Sequence, residues 1–202
     1  MIKTIIFDFG DVFLTLDKSA TRKHMEIQGV TELSEELIEV NASYEKGEIS
    51  SSEFIQHYIS CFPELTEEVF IEAWNSILIE FPLEGLEFLR QLKASGKYTL
   101  ILLSNTNALH IDWVKANIPL YEEFKSCFDQ FYLSHEIHHR KPNRDIFEYV
   151  LNTNRLSPEE TLFVDDTQDH ILCAKTLGLH TWYLQVGKEK VIDLFSIKSN
   201  LF

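Results

Sequence analysis

Glycine and proline are scarce, 7 and 5 in 202 residues, and no low-complexity tract, Pro-rich linker or fixed-period repeat is present. That excludes collagenous, solenoid and linker-dominated architectures. Long apolar runs are missing as well. The longest, such as Tyr98–Leu103, fall far below the ~18 residues that a membrane-spanning helix needs. The run Met1–Phe7 meets Asp8 before a signal-peptide core can form, so a cytoplasmic protein is expected. Cysteine is limited to Cys61, Cys127 and Cys173, an odd number, widely spaced and without a CxxC pair. They read as reduced, partly buried thiols. Positive charge is short too: 18 Lys/Arg face 32 Asp/Glu, a net charge of −14. This argues against nucleic acid or an anionic membrane as partner.

What is present is an ordinary globular composition, 45% hydrophobic and 25% charged. The length suits one α/β domain carrying an inserted subdomain. The acidity is uneven. Between Lys18 and Glu84 there are 4 Lys/Arg and 14 Glu. That segment also reads as purely helical, which marks an insertion.

Residues 2–7 form a short β-branched run ending in Asp8, the pattern of a strand buried on both faces. Similar runs occur at Tyr98–Leu103, Gln130–Leu133, Thr161–Val164 and Thr181–Leu184. Helical signals lie between them: Gly85–Ala94 with Gly96 as a stop, a stripe of Ile146, Phe147, Val150 and Leu151 behind Pro142, and Ile171–Leu177 ended by Gly178. Ser157–Glu160 has the form of a capping box opening a single turn. Strands alternating with helices predict a Rossmann-like, mostly parallel sheet flanked by helices on both faces. Residues 16–84 break the alternation, with helical stretches at Ser19–Ile27, Ser34–Tyr44, Ser51–Cys61 and Thr66–Ile79 and no strand pattern. The expected division is an α/β core of residues 1–15 and 85–202 around an all-helical cap of residues 16–84.

In an open parallel sheet, ligands bind beyond the carboxyl ends of the strands. Four such ends carry reactive residue types: Asp8-Phe9-Gly10-Asp11, Ser104-Asn105-Thr106-Asn107, Arg140-Lys141-Pro142 and Asp165-Asp166. If they converge, Asp8, Asp165 and Asp166 bring three negative charges and Lys141 one positive. Crowded carboxylates repel and raise one another's pKa, and one divalent cation cancels the remainder. Oxygen donors without a His/Cys set point to Mg²⁺ rather than zinc. Such a pocket accepts a phosphoryl group.

These four motifs, in this order, resemble the signature motifs of the haloacid dehalogenase-like superfamily. Ser104–Asn107, Tyr132-Leu133-Ser134, Arg140-Lys141-Pro142 and Tyr44–Ser50 are most similar to the branch containing bacterial α-D-glucose-1-phosphate phosphatases. The resemblance implies a Mg²⁺-dependent phosphomonoester hydrolase acting on a small phosphorylated metabolite, a sugar phosphate first. Asp8 would be the nucleophile that forms an aspartyl-phosphate. It further implies that Asp8, the Gly10 carbonyl and Asp166 hold Mg²⁺, with Asp165 as ligand or close neighbour. Ser104 and the Asn105 backbone N–H would hold the phosphoryl oxygens, and Lys141 would pair with Asp8 and the transferring group. The helical insertion would close the site and select the leaving group. A monomer or weak homo-oligomer is expected.

Two positions depart from the family pattern. Gly10 stands where most phosphatases of the superfamily carry a second Asp as general acid/base, a group that contributes ~10²–10⁴-fold. Asp11, one residue later, points elsewhere in an extended loop. His170 stands where related sequences have Asn or Asp. The alternatives are a degenerate member that binds a phosphorylated ligand or partner, a metal-free 2-haloacid dehalogenase, and a phosphomutase. His135, His138 and His139 read as structural or solvated. Phe70, Trp74 and Ile77 read as cap core, and Arg22 is the cap residue placed to touch substrate.

Overall fold

The computed structural model describes residues 1–202. Five strands form one parallel sheet: β1 (Thr4–Phe7), β4 (Thr99–Ser104), β5 (Gln130–Leu133), β6 (Thr161–Asp165) and β7 (His180–Tyr183). Their spatial order is β5-β4-β1-β6-β7, so β1 lies at the centre between β4 and β6. The strand period of two sorts each apolar run onto both faces. Ile5, Phe7, Leu100, Leu102, Leu162 and Val164 enter one core, and Ile6, Ile101, Leu103 and Phe163 enter the other. The first core is covered by α5 (Leu83–Ser95), α6 (Ala108–Asn117) and α7 (Tyr121–Ser126), and the second by α9 (Arg144–Thr153) and α10 (Gln168–Thr176). Both faces are buried, as parallel sheets require.

Between β1 and α5 lie α1 (Ala20–Ile27), α2 (Glu35–Glu45), α3 (Ser51–Cys61) and α4 (Glu67–Asn75). Their starts are fixed by side-chain caps. Ser34 accepts from the Leu37 N–H and Thr66 from the Val69 N–H, while Ser50 and Glu53 close a reciprocal capping box. These helices bury Met25, Leu37, Tyr44, Phe54, Tyr58 and Phe70 in an apolar cluster of their own.

Several sequence expectations need correction. The insertion is not free of strands: β2 (Thr15–Leu16) pairs antiparallel with β3 (Leu78–Glu80). The helical pattern over Thr66–Ile79 ends at Asn75 because Leu78–Glu80 pairs with β2, and tertiary pairing overrides local propensity. Ile77 packs against the sheet-side core, not the helical cluster. Ser157 makes no capping bond; its hydroxyl donates to Glu159 at 2.7 Å beside a single 3₁₀ turn. Pro142 lies two residues ahead of α9, outside its first turn. A short α8 (Ser134–Ile137) follows β5 directly. All three cysteines are free, and Cys61 is exposed. No helix is long and apolar enough to cross a membrane.

Candidate active site

The central strand delivers Asp8 beyond its carboxyl end, while β4 ends in Ser104 and β6 in Asp165. Adjacent strands in register therefore set the three side chains side by side. Lys141 arrives from the loop between α8 and α9 and is fully buried. Its ammonium donates to the Leu103 carbonyl at 2.8 Å and to Asp165 Oδ2 at 2.7 Å. It also lies 2.9 Å from Asp8 Oδ1, outside hydrogen-bond alignment, which leaves that buried oxygen without a hydrogen-bond partner. The Asn105 side chain holds Lys141 in place: its Nδ2 donates to the Lys141 carbonyl at 2.8 Å, and its Oδ1 accepts from the Lys141 N–H at 2.9 Å. Ser134 Oγ, fully buried, accepts from the Thr106 N–H and donates to the Thr106 carbonyl, both at 2.9 Å. The loop after β4 is thus pinned on both sides.

Asp8, Asp165 and Asp166 place carboxylate oxygens within 4.8 Å of one another. Burial pushes Asp8 well above the usual carboxylate range; Lys141 opposes this and Asp165 adds to it. Burial acts on Asp165 in the same sense, but Lys141 and the His170 hydrogen bond outweigh it and hold Asp165 low. Asp165 is the better-partnered acid. His170 Nδ1 lies 3.0 Å from both its oxygens, and the Thr167 N–H donates to Oδ1 at 2.7 Å. His170 thus takes a local role beside the acidic loop. Lys141 is held above the ordinary lysine range despite burial, because Asp165 and Asp8 flank it.

Asp11 does not sit in an extended loop. Its φ is +53°, a left-handed conformation that Asp tolerates. Its Oδ1 accepts from the Leu16 N–H at 3.1 Å, and its Oδ2 lies 2.9 Å from Lys18. Lys18 also donates to Asp166 Oδ2 at 2.6 Å, so it ties the start of the insertion to the acidic loop. Nothing in the sequence singled out Lys18. His135 Nδ1 is buried without a partner, His138 Nδ1 lies 2.9 Å from the Lys46 carbonyl, and His139 pairs with Asp145. The three rings do not converge. Arg22 is exposed and pairs with Glu26, at the rim of a ~300 Å³ cavity that also includes Lys18 and Trp74.

A smaller cavity of about 140 Å³ begins at Gly10, Ser104, Asn105 and Thr106 and reaches Glu45 and His110. The His110 ring stacks on Trp74 at 5.5 Å between centroids. Burial pulls its pKa down to about 4, with the Trp74 carbonyl opposing, so the ring is neutral at physiological pH. Glu45 pairs with Arg140, 95 residues away in the chain, a contact with no sequence signal.

An open parallel sheet with an acid-and-lysine pocket beyond its strand ends and helices inserted after its first strand defines a Rossmann-like α/β enzyme. The haloacid dehalogenase-like hydrolase family model matches residues 2–178, and the chain belongs to that family. It is 32% identical over 199 residues to a D-ribitol-5-phosphate phosphatase of Bacteroides thetaiotaomicron, covering 94% of this chain and 95% of that protein. A family enzyme of the same organism, solved with magnesium and inorganic phosphate, superposes with a TM-score of 0.81 at 31% identity, over 94% of this chain and 97% of that one. A HAD-like hydrolase of Porphyromonas gingivalis reaches a TM-score of 0.85 at 30% identity, over 100% and 98% of the two chains.

Proposed function

We propose that this hydrolase is a cytoplasmic, Mg²⁺-dependent phosphomonoesterase, and that its substrate is a small sugar or polyol phosphate handled through an aspartyl-phosphate on Asp8. The observation that carries this reading is the buried Asp8–Lys141–Asp165 cluster with Asp166 alongside. The named activity of the 32%-identical relative supports the substrate class.

The donor set fits magnesium. Three carboxylates face one buried ammonium, all ligand atoms are oxygens, and Asp8 Oδ1 has no hydrogen-bond partner. Asp8, the Gly10 carbonyl and Asp166 would hold the ion. Asp165, its oxygens engaged by Lys141, His170 and the Thr167 N–H, serves mainly to orient Lys141. Bound magnesium supplies positive charge that offsets the acidic cluster and the phosphoryl oxygens.

The remaining chemistry belongs to the chain. An Asp8 carboxylate oxygen attacks phosphorus in line, the ester P–O bond breaks, and its electron pair leaves with the alcohol oxygen, which takes a proton. Water then attacks phosphorus, the Asp8–phosphorus bond breaks, and phosphate departs. Ser104 and the Asn105 N–H cradle the phosphoryl oxygens, and the fixed Lys141 ammonium stabilises the charge they gain. Gly10 offers no carboxyl to carry the proton, and the Asp11 carboxylate is committed to Lys18 and the Leu16 N–H. The proton therefore comes from solvent, and good leaving groups react faster than poor ones.

The test is phosphate release from sugar phosphates, polyol phosphates and an aryl phosphate, with Mg²⁺ or chelator, comparing wild type with Asp8→Asn. Magnesium-dependent release, reduced by at least ~10³-fold in the variant, is expected. No release from any ester by a folded, Mg²⁺-binding wild type would point instead to a non-catalytic binding protein.

A further inference from the structure

We infer that Glu45 is a specificity-determining residue that selects neutral, hydroxyl-bearing leaving groups and rejects acid-bearing ones. This rests on the phosphatase reading and deepens it. Glu45 ends α2 in the helical insertion, yet it lines the same cavity as Gly10, Ser104 and Asn105. Most other walls of that cavity are apolar, among them Phe9, Leu16 and Ile77. A leaving group that extends from a phosphoryl group at Ser104 and Asn105 thus meets one carboxylate, the neutral His110 imidazole and apolar side chains.

The carboxylate is held in place. Glu45 is paired with Arg140, the residue before the buried Lys141. The turn that follows it is docked on the segment after β5. Gly47, at φ +66°, lies so close to the His135 carbonyl that an added Cβ would sit 2.1 Å from its oxygen. The Lys46 carbonyl faces His138 Nδ1 at 2.9 Å. Glu45 has little freedom to swing away from an unwelcome ligand.

A fixed carboxylate discriminates in two ways. It accepts hydrogen bonds from the hydroxyls of a polyol or sugar, which are charge-assisted and so stronger than neutral ones. It repels a second phosphate or a carboxylate on the leaving group. Arg140 offsets part of this charge, but Glu45 lines the cavity and Arg140 does not, so the carboxylate is the nearer of the two to the ligand.

The experiment compares kcat and KM for a five- or six-carbon polyol monophosphate with those for phosphoglycolate, in wild type, Glu45→Gln and Glu45→Asp, all with Mg²⁺. Wild type should favour the polyol ester in kcat/KM by at least about tenfold, as like charges in a partly desolvated site predict. Glu45→Gln keeps the shape, removes the carboxylate charge and leaves the Arg140 charge unpaired. Both changes favour an acidic ligand, so the preference should shrink about tenfold, chiefly through a lower KM for phosphoglycolate. Glu45→Asp keeps the charge and should retain the preference. A wild type that favours phosphoglycolate, or a ratio unchanged within about threefold in a folded Glu45→Gln, overturns the assignment of Glu45. Loss of all turnover in wild type, aryl phosphate included, would refute the phosphatase reading itself.

Discussion

Replacing Lys141 with methionine keeps most of the side-chain length and removes one charge from a fully buried site. The ammonium contacts Asp8 Oδ1 at 2.9 Å, Asp165 Oδ2 at 2.7 Å and the Leu103 carbonyl at 2.8 Å. Removing one partner of a buried ion pair costs about 3–5 kcal/mol, because the remaining charge stays buried and uncompensated. Here two carboxylates are stranded, which argues for the upper end. Asp8 can take up a proton, which limits the loss. In a chain of about this size, 1 kcal/mol moves Tm by roughly 2–4 °C. The variant in chelator should therefore melt some 6–20 °C below wild type near neutral pH. Mg²⁺ should recover part of that difference, since it supplies the missing positive charge. Turnover should fall by at least ~10², the usual cost of losing one preorganised charge at a phosphoryl oxygen. Differential scanning fluorimetry with and without Mg²⁺, beside phosphate release, reads all three effects. A variant within about 2 °C of wild type in chelator would show that the acidic cluster does not depend on Lys141, and the electrostatic account would fail.

Three further outcomes follow from the same geometry. Gly10→Asp places a Cβ 2.7 Å from Leu16 Cδ1, the far end of a flexible side chain. It should cost about 1–2 kcal/mol of stability and raise kcat for a poor leaving group by about 10², and an unchanged kcat would mean that the proton has another source. In chelator, Asp8 binds its proton more tightly folded than unfolded, so its contribution to stability is full below about pH 4 and is lost as the pH climbs toward neutral. Asp165 runs the opposite way, stabilising above about pH 4 and losing that contribution in stronger acid. The rise in Tm given by Mg²⁺ should therefore grow from mildly acidic to neutral pH, and a pH-independent rise counts against the assignment. Gly47→Ala meets the His135 carbonyl and a left-handed φ together, so denaturant melts should show a loss of at least about 2 kcal/mol. A neutral substitution there would mean that the Gly47 turn moves freely.

The sheet was legible because its strands are short apolar runs closed by chemically unusual residues, and parallel pairing buries both faces of each. Asp8, Ser104 and Asp165 announced themselves by strand-end position, and Lys141 by its place in the Arg140-Lys141-Pro142 motif. The structure sets Lys141 between Asp8 and Asp165 although it comes from the loop after α8. The helices over 108–126 were missed because Leu109, Ile111, Trp113 and Val114 spread around α6 instead of forming one stripe, and α7 is only six residues long. The β2–β3 pair was hidden because two- and three-residue strands carry no periodicity. Lys18, His110 and the Glu45–Arg140 pair were out of reach for another reason: each acquires meaning only through a partner brought from elsewhere in the chain.

The β2–β3 pair has a consequence for how this enzyme can change. Thr15 lies opposite Glu80 and Leu16 opposite Leu78, so the chain leaves the sheet and returns to it at neighbouring points. The four helices hang from a two-stranded stem, and the sheet closes behind it whatever the stem carries. A helical module of different sequence, grafted between Leu16 and Leu78, would leave the strands undisturbed, and it would need its own partners for Asp166 and Arg140 to dock as this one does. Leaving-group preference and phosphoryl chemistry thus sit on different segments, joined by one hairpin and by the Lys18–Asp166 and Glu45–Arg140 pairs, so the two can change separately only where those pairs are kept.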